Sequence, residues 1–331
     1  MDEKGKWKEL LQHMIAVEAS DLHAAPGQCV RIRRDGALVS DAFVPSASFM
    51  DALLGEMISE GRRAILPGHD VDFSWTYAGR RFRGNAYHME NGIGLALRLL
   101  PARIMTPDEI GMPDALRSIA DVRDGLVLVC GPTGAGKTTT LASLIEVINQ
   151  TRRVHIITLE DPIEYIFLPA SAFISQRELG RDFSSFPDAV RSALREDPDI
   201  LLAGEIRDRA TMEAALMAAA TGILVLGTLH TRSAAQAAMR VESMFPADVR
   251  DAVRAQFADA VTGIFAQRLL PRVGGGRAAA FEVLRAVPAV RNIVRNGQYS
   301  QLFSVMMSGA EQGMQTSEMA EAMLRSKGII V

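Results

Sequence analysis

The sequence predicts an α/β protein in which a larger domain with a mainly parallel sheet follows a smaller α+β domain. Two observations lead to this fold class. Beyond about residue 114, apolar strand segments alternate with helical segments, which is typical of a parallel sheet covered on both faces. Before residue 101, short strands and one helical segment occur without that alternation. The chain of 331 residues is long enough for two buried cores.

The smaller domain is predicted over 1–101. Apolar residues at helical spacing indicate a helix at 7–17, and strand patterns occur at 29–34, 71–77, 80–88 and 94–100. The last two strands flank Asn91-Gly92, which favours a two-residue hairpin turn because both residues accept positive φ. The proline-rich, weakly periodic stretch 102–113 then predicts a linker.

The larger domain is predicted over 114–331. Its strands are expected at 126–130, 155–159, 200–204 and 223–228, and its helices at 137–149, 188–196, 209–220 and 233–244. After residue 250 the chain is predicted to be mostly helical, apart from a strand at 278–285 that follows three glycines at 274–276.

Composition and charge narrow the class of protein. The formal net charge of −3 gives no electrostatic footprint for nucleic acid. Cys29 and Cys130 are too few for a disulfide framework or a zinc site, and they fit a reducing cytosol. The longest uncharged apolar stretch, 214–229, is shorter than the roughly 20 residues of a membrane span, and the charged N-terminus is unlike a signal peptide. We therefore expect a cytoplasmic protein that can dock on a membrane complex.

The segment GPTGAGKT at 131–138 matches the spacing G-x-x-x-x-G-K-[ST] between a predicted strand and a predicted helix. Glycines let backbone N–H groups converge on phosphate oxygens, and the helix N-terminus adds partial positive charge. Lys137 would reach the β- and γ-phosphates of ATP, and the Thr138 hydroxyl would bind Mg²⁺. The predicted nucleotide-binding residues are Gly131, Pro132, Thr133, Gly134, Ala135, Gly136, Lys137, Thr138 and Thr139. No base-reading motif distinguishes ATP from GTP.

Hydrolysis also needs carboxylates, which we expect at the ends of neighbouring parallel strands. The apolar run DILLAGE ends at Glu205, preceded by Gly204 where other P-loop enzymes commonly have an aspartate. The segment LEDPIE supplies three more acids, Glu160, Asp161 and Glu164. They would repel one another unless a cation or a basic partner lies among them. His230 ends a third strand and is either a packed residue or a sensor of the γ-phosphate. The predicted metal ligands are Thr138, Glu205 and Glu164.

Four segments, in their order and spacing, resemble those of the secretion ATPase superfamily: GPTGAGKTTTLA, LEDPIEY, ALREDPDILLAGEIRD and GTLHTRSA. In that family they are the Walker A segment, the Asp box, the Walker B segment and the His box. The resemblance implies that Glu205 is the catalytic carboxylate, Glu164 the essential acid of the Asp box, and His230 the His-box residue. It also implies a PAS-like first domain, a RecA-like second domain and a homo-hexameric ring.

The same resemblance assigns a role to two arginines of the first domain, which help to complete a nucleotide site in the family. The segments FRGN and LRLLP match those that carry them and give Arg83 and Arg98. If Asn91-Gly92 is the turn, Asn85 faces Arg98 and Arg83 is its diagonal neighbour on the same sheet face. Two guanidinium groups there can stabilise a transferring phosphoryl group. The alternative is a solvated strand face.

Within the superfamily the chain most resembles PilT-like pilus retraction ATPases. Their C-terminal motif is matched by PAVRNIVRN at 288–296, except that Asn296 stands where the family has an acid. Helical spacing predicts that Val290, Ile293 and Val294 pack inward and that Arg291 and Arg295 share the opposite face. An ordinary amphipathic helix would show the same pattern.

The resemblance therefore implies an ATP-hydrolysing hexameric motor that powers pilus retraction and twitching motility, acting on an inner-membrane platform protein. The alternatives are a pilus-assembly ATPase and a type IV secretion or conjugation ATPase. The missing tetra-cysteine insert and the short N-terminal region argue against the type II secretion and pilus extension ATPases. A RecA-like nucleic-acid translocase conflicts with the acidic balance. A nucleotide-regulated structural subunit without turnover is the remaining alternative.

Overall fold

The computed structural model describes residues 2–34, 36–58, 60 and 68–331, and the chain divides into two compact units. The first unit comprises Met1–Arg103, Asp161–Ile166 and Glu178–Phe183. The second comprises Ile104–Glu160, Phe167–Arg177 and Ser184–Val331. The first break falls inside the predicted linker at 102–113, whereas two short later segments lie with the first unit and outside the predicted range 1–101.

The first unit contains a six-stranded sheet in the order β3-β2-β1-β6-β5-β4, in which all neighbouring strands are antiparallel. Its strands are β1 (Asp21–Ala24), β2 (Arg31–Arg34), β3 (Ala37–Ser40), β4 (Val71–Tyr77), β5 (Arg80–Met89) and β6 (Gly92–Leu99), and its helices include Glu3–Ala16 and Ala47–Met57. The sequence reading missed β1, β3 and the second helix. Strand β3 is exposed at every position, so it carries no alternating apolar signal.

The core of the first unit lies between these helices and one face of the sheet. Alternation along β5 buries Phe82, Gly84 and Ala86 and leaves Arg81 and Arg83 on the opposite face. The largest fully buried side chains of this core are Leu11, Met14, Leu22, Met50, Phe73, Phe82, Leu95 and Leu97. The second face of the sheet is therefore free to carry polar and charged side chains.

The β5–β6 hairpin turns one residue earlier than the sequence predicts. Met89 pairs with Gly92, so the two turn residues are Glu90-Asn91 and not Asn91-Gly92. Gly92 has a φ of 125° and opens β6. Only glycine adopts this backbone conformation readily, so Gly92 is used at the strand entrance and not inside the turn.

The shifted turn changes which residues face each other across the hairpin. Arg83 lies directly opposite Arg98, and Asn85 lies opposite Ala96, so the predicted Asn85–Arg98 pair is wrong. The two arginines still share one face, because the true partner of Arg98 is two residues from the predicted one and side chains alternate with a period of two.

The second unit contains a seven-stranded sheet in the order β13-β12-β7-β11-β10-β8-β9. Strands β12, β7, β11, β10 and β8 run parallel, and β13 is antiparallel to β12. The strands are β7 (Gly125–Cys130), β8 (His155–Glu160), β9 (Phe173–Glu178), β10 (Ile200–Ala203), β11 (Leu224–Leu229), β12 (Val261–Pro271) and β13 (Arg277–Arg285). Strands β7, β10 and β11 are buried at every position, as expected for a sheet covered on both faces.

The α-helices of the second unit are Pro107–Ile110, Asp114–Arg117, Lys137–Thr151, Phe186–Ala193, Arg209–Ala220, Ala234–Ser243, Arg250–Ala260, Pro288–Arg295, Leu302–Ser308 and Ser317–Ser326. Short 3₁₀ segments lie at Ser118–Asp121, Ala247–Val249, Tyr299–Gln301 and Ala310–Gln312. The helices in the described part of the chain are all too short or too polar to span a lipid bilayer.

The prediction of a mostly helical region after residue 250 is wrong for β12, one of the longest strands of the chain. The helix Arg250–Ala260 passes directly into this strand, which pairs with β7 and β13. Residues 263–267 are buried in a continuous run, and a segment without alternation does not distinguish a strand from a buried helix.

The helix Pro288–Arg295 buries Val290, Ile293 and Val294, which confirms the predicted inward face. Its two arginines bind the end of the helix Arg250–Ala260. Arg291 donates to the main-chain oxygens of the last residues of that helix, and Arg295 pairs with the carboxylate of Asp259. The face of the helix that carries the two arginines therefore helps to cap the C-terminal end of the helix Arg250–Ala260.

Candidate nucleotide-binding and catalytic site

The loop 131–138 joins β7 to the N-terminus of the helix Lys137–Thr151. Pro132, Thr133 and Gly134 are exposed, whereas Ala135 is buried beneath them. Gly136 precedes the helix with a left-handed φ of 87°. The loop thus presents its middle residues and the first turn of the helix to solvent, where backbone N–H groups are available to phosphate oxygens.

Lys137 is the first residue of this helix and is buried. Its Nζ atom donates to the carbonyl oxygens of Gly131, at 2.7 Å, and Pro132, at 3.2 Å. Burial lowers the pKa of the Lys137 ammonium below its ordinary value, although the Glu205 carboxylate opposes that effect. The ammonium is therefore held over the loop, close enough to Glu205 to respond to its charge.

Gln267 of β12 lies behind the loop and is buried. Its Oε1 atom accepts a hydrogen bond from the Thr140 hydroxyl at 2.7 Å. On the loop side, a Cβ at Gly136 would lie 2.9 Å from the Gln267 Nε2 atom. Its left-handed backbone conformation favours glycine at 136, and a side chain there would also displace this amide.

Glu205 follows the end of β10, and its carboxylate has two basic neighbours. Arg207 contacts both oxygens, with Nε 2.7 Å from Oε1 and Nη2 2.8 Å from Oε2. The His230 Nε2 atom lies 3.1 Å from Oε1, and its Nδ1 atom lies 3.5 Å from the Thr133 hydroxyl. The structure therefore joins the exposed part of the loop to the acid through the His230 ring.

The charge of Glu205 is set by these neighbours. Partial burial raises the pKa of the carboxyl, but the hydrogen bond and charge of Arg207, together with His230, lower it more. The net pKa of Glu205 therefore lies below its ordinary value, and the group is a carboxylate at neutral pH. Its two oxygens offer about four acceptor positions, so the contacts described leave room for a water on Oε2.

Gly204 occupies the position at which other P-loop enzymes commonly have an aspartate. A Cβ at this residue would lie 2.8 Å from the carbonyl oxygen of Leu159 on β8. That same oxygen accepts a hydrogen bond from the Gly204 N–H at 2.8 Å. Any side chain would break this contact, so Glu205 is the single acid that the β10 end supplies.

The acids of the LEDPIE segment have different partners. Glu160, the last residue of β8, is buried and accepts hydrogen bonds from Thr158 and Gln176 at 2.7 Å and 3.3 Å. Glu164 lies four residues beyond the strand, as the sequence predicts, and belongs to the first unit. Its Oε1 atom lies 3.6 Å from Arg83 Nη1. Arg83 is therefore a basic partner for Glu164 of the kind that the predicted repulsion requires.

Arg83 and Arg98 lie opposite each other on the polar face of the first unit's sheet. The Nε atom of Arg98 donates to Asp21 Oδ1 at 2.8 Å, and its side chain is 67% exposed. Arg83 lies between Glu164, at 3.6 Å, and Asp72, at 3.9 Å. Each guanidinium group thus has an acidic partner, which offsets the repulsion between like charges on facing strands.

No group of three or more His, Cys, Asp or Glu side chains among the described residues is placed to hold a metal. Mg²⁺ at a P-loop does not need such a group, because phosphate oxygens, water and one or two protein ligands fill its coordination shell. Thr138 fits that requirement, since it is exposed in the first turn of its helix. Glu205 fits as a nearby carboxylate.

The sequence reading missed three residues of this region: Arg207, Gln267 and Asp21. Arg207 stands two positions after Glu205 in GEIRD, and a basic residue so close to a proposed active acid was an available signal. Gln267 lies in β12, within the region that the sequence predicts to be mostly helical, so no local pattern indicates its contact with the loop. Asp21 reaches Arg98 only through the pairing of β1 with β6.

Known proteins resemble this chain over nearly its whole length. The sequence profile of the family described as type II/IV secretion system protein matches residues 6–280. The type IV pilus retraction ATPase PilT of Pseudomonas aeruginosa is 41% identical over 325 residues, 97% of this chain and 94% of that protein. The twitching motility protein of Neisseria gonorrhoeae is 41% identical over 288 residues, 86% of this chain and 77% of that protein.

The crystal structure of the pilus retraction motor PilT with bound ADP superposes with a TM-score of 0.89 at 41% identity, covering 98% of this chain and 94% of that one. The predicted fold class, an α/β RecA-like ATPase domain after a smaller N-terminal domain, is thereby confirmed. By contrast, type II secretion system protein E of Xanthomonas campestris is 34% identical over 80% of this chain but only 47% of that protein.

Proposed function

The chain belongs to the type II/IV secretion system protein family, and we propose that within it the chain is the ATP-hydrolysing motor of type IV pilus retraction. The observation that carries the proposal is the likeness to PilT at 41% identity over almost all of both chains. The site agrees with it, because a P-loop, an ionised acid and a bridging histidine belong to the same compact unit.

In the proposed reaction the loop residues 131–139 bind the phosphates of ATP through backbone N–H groups, with the Lys137 ammonium on the β- and γ-phosphates. The Glu205 carboxylate orients a water and accepts its proton as the water oxygen bonds to the γ-phosphorus. The bond from that phosphorus to the β–γ bridging oxygen breaks, and ADP and phosphate leave. His230 orients Glu205 and senses the γ-phosphate side of the loop.

Mg²⁺ would be held by the Thr138 hydroxyl, with the carboxylates of Glu205 and Glu164 as further ligands, directly or through water. When bound, the ion would neutralise charge on the phosphate oxygens. The Glu205 carboxylate is paired with Arg207, so the strength with which it would bind Mg²⁺ depends on that ion pair.

We assign the remaining roles from the family resemblance. Glu164 is the acid of the Asp box, and Arg83 and Arg98 stabilise negative charge on the transferring phosphoryl group in the working motor. In the first unit the three side chains lie on one polar surface, with Arg83 next to both others. That arrangement supports a joint role.

The working assembly is proposed to be a homo-hexamer that acts on a platform protein of the inner membrane and docks there peripherally from the cytoplasm. Retraction is favoured over secretion because the chain covers 94% of PilT but 47% of the type II secretion protein. Mass photometry of the purified chain with nucleotide is expected to show particles of six chains, and a stable monomer would contradict the ring.

The direct test is a deletion strain of the source organism complemented with the parent gene or with Lys137→Ala. Because retraction is lost and assembly is untouched, the variant cells are expected to carry surface pili and to be immobile on a surface. Lys8→Ala, an exposed lysine of the first helix, is the matched control and should restore motility. Bald cells would indicate an assembly motor, and motile Lys137→Ala cells would contradict the proposed motor.

A further inference from the structure

The first unit contains a buried ion pair that none of the proposed steps uses. The side chain of Glu178 is 3% exposed, that of Arg81 is 13% exposed, and Oε2 of the acid lies 3.4 Å from Nη2 of the arginine. Burying two charges costs several kcal/mol per ion unless further hydrogen bonds complete both groups. Neighbouring residues supply these hydrogen bonds to both groups of the pair.

Every nitrogen of the Arg81 guanidinium group is engaged. Nε donates to the carbonyl oxygen of Ile163 at 3.1 Å, and Nη1 donates to the Thr76 hydroxyl at 3.0 Å. Nη2 donates to both the Ser74 hydroxyl and Glu178, and the Ser74 hydroxyl in turn donates to Glu178. The planar fork of an arginine fits this set of acceptors, and a lysine ammonium does not.

The pair holds the residue before the Asp-box acid at both of its main-chain polar groups. The Ile163 N–H donates to Glu178 Oε2 at 3.1 Å, and its carbonyl oxygen accepts from Arg81. Its side chain is buried, as is that of Tyr165 on the other side of Glu164. The backbone on the N-terminal side of Glu164 is thus fixed by hydrogen bonds, and packing holds both neighbours.

The acid that holds Ile163 is itself fixed in a closed turn. The Glu178 N–H donates to Asp182 Oδ2 at 2.8 Å, and the Asp182 N–H donates back to the Glu178 carbonyl oxygen at 2.8 Å. Arg81 and Arg83 alternate onto the same face of β5, so the buried pair and the Arg83–Glu164 contact share one strand face.

We propose that Arg81 and Glu178 are positioning residues that hold the Asp box so that Glu164 faces Arg83. The inference rests on the proposed function, because it gives Glu164 its role in hydrolysis. Displacement of a catalytic group by about 1 Å can cost roughly 100-fold in rate. Loosening the peptide at Ile163 should therefore slow turnover by displacing Glu164, while the residues of the loop at 131–138 are unchanged.

The test compares ATP hydrolysis and ADP binding by the purified full chain and its variants. Glu178→Gln keeps an acceptor for the Ile163 N–H but removes the charge, and Arg81→Lys keeps the charge but not the fork. Both are expected to lower kcat roughly 10- to 100-fold, with the Kd for ADP close to the parent's. The thermal midpoint of Glu178→Gln is expected to fall, because the buried Arg81 charge loses its partner, so rates are compared well below that midpoint. The matched control is Glu56→Gln, from an exposed ion pair of the same unit, which should change none of these values.

A double variant separates positioning from general damage. If Glu178 acts through Glu164, Glu178→Gln should slow the Glu164→Gln protein no further, because effects within one functional unit are not additive. Additive losses would overturn the inference. So would a parent-like kcat in Glu178→Gln when Glu164→Gln is slow. Should Glu178→Gln fail to fold, Ser74→Ala removes only the bridging hydroxyl, and parent-like rates in both Ser74→Ala and Arg81→Lys would overturn the inference equally.

The same set of proteins distinguishes this inference from the proposed function. Rapid hydrolysis by Lys137→Ala would contradict ATP hydrolysis at the loop. Loss of hydrolysis in Lys137→Ala together with a parent-like rate in Glu164→Gln would contradict the role of Glu164, and the positioning inference with it, while hydrolysis at the loop would stand.

Discussion

The properties of Glu205 are set by single side chains around it. Arg207 and His230 keep its pKa below the ordinary value despite burial. A group with a lowered folded-state pKa stabilises the fold above its unfolded-state pKa, and that stabilisation is lost as the pH falls through the folded-state pKa. The same shift keeps Glu205 ionised, and therefore able to accept a proton, over the whole neutral range.

Arg207→Leu should move the acid limb of the pH dependence of kcat/KM to higher pH. Without the arginine, its hydrogen bond and its charge no longer lower the pKa of Glu205, so the pKa rises and the carboxylate is protonated before the parent's would be. The measurement is a rate profile from acid to neutral pH. Arg209→Leu, which removes an exposed partner of Glu213, is the control and should leave the limb in place. An unshifted limb in Arg207→Leu would show that Glu205 does not control that limb.

For single residues, the sequence predicts features that depend on local backbone conformation, but it does not predict contacts that depend on the packing of distant segments. The glycines of 131–138 can be read directly, because a phosphate-binding loop needs them at fixed spacing. Gln267 could not be found in that way, since it reaches Thr140 from a strand 127 residues away in the sequence. The glycine at position 204 is unusual in the sequence. The reason for it, the close approach of the Leu159 carbonyl oxygen, is visible only in the folded sheet.

Among the elements, the helix Pro288–Arg295 shows how one motif serves packing and capping together. Arg291 donates to the Asp259 carbonyl oxygen at 2.7 Å and to that of Ala286 at 3.1 Å. The last carbonyl groups of a helix lack intrahelical donors, so a guanidinium group that reaches them satisfies acceptors that would otherwise depend on water.

Arg291→Ala should lower the free energy of unfolding by about 1–3 kcal/mol, because it removes hydrogen bonds from a charged donor to partly buried acceptors. Arg295→Ala should cost about 0–1 kcal/mol, since its pair with Asp259 is largely exposed. Parallel urea denaturation of the two variants measures the difference. Equal losses, or a larger loss in Arg295→Ala, would contradict the capping role.

The strands show where a sequence pattern predicts the bounds of a strand correctly and where it does not. Strand β4 has the predicted bounds because its alternation is uninterrupted. Strand β12 is not predicted from the sequence because residues 263–267, which are buried throughout, show no alternation and the strand directly follows a helix. In the β5–β6 hairpin the turn was misplaced by one residue, yet the shared face of Arg83 and Arg98 followed from parity alone.

For the whole molecule, the unexpected feature is that parts of the Asp-box region belong to the first compact unit. Asp161–Ile166 and Glu178–Phe183 lie with the N-terminal sheet although the chain enters them from β8 and β9. The contact between Arg81 and Glu178 joins residues 97 positions apart. No local pattern encodes such a contact, so the sequence could identify the acids of LEDPIE without showing which residues hold that segment in place.

The central claim is that this chain hydrolyses ATP at the loop 131–138 with Glu205 as the acid that activates water. The most direct test is the ATP hydrolysis rate of purified Glu205→Gln beside its ADP affinity, with the exposed acid variant Glu213→Gln as the control. We expect kcat to fall roughly 100-fold or more, with ADP binding unchanged and the control at the parent's rate. Hydrolysis by Glu205→Gln at the parent's rate would contradict the claim.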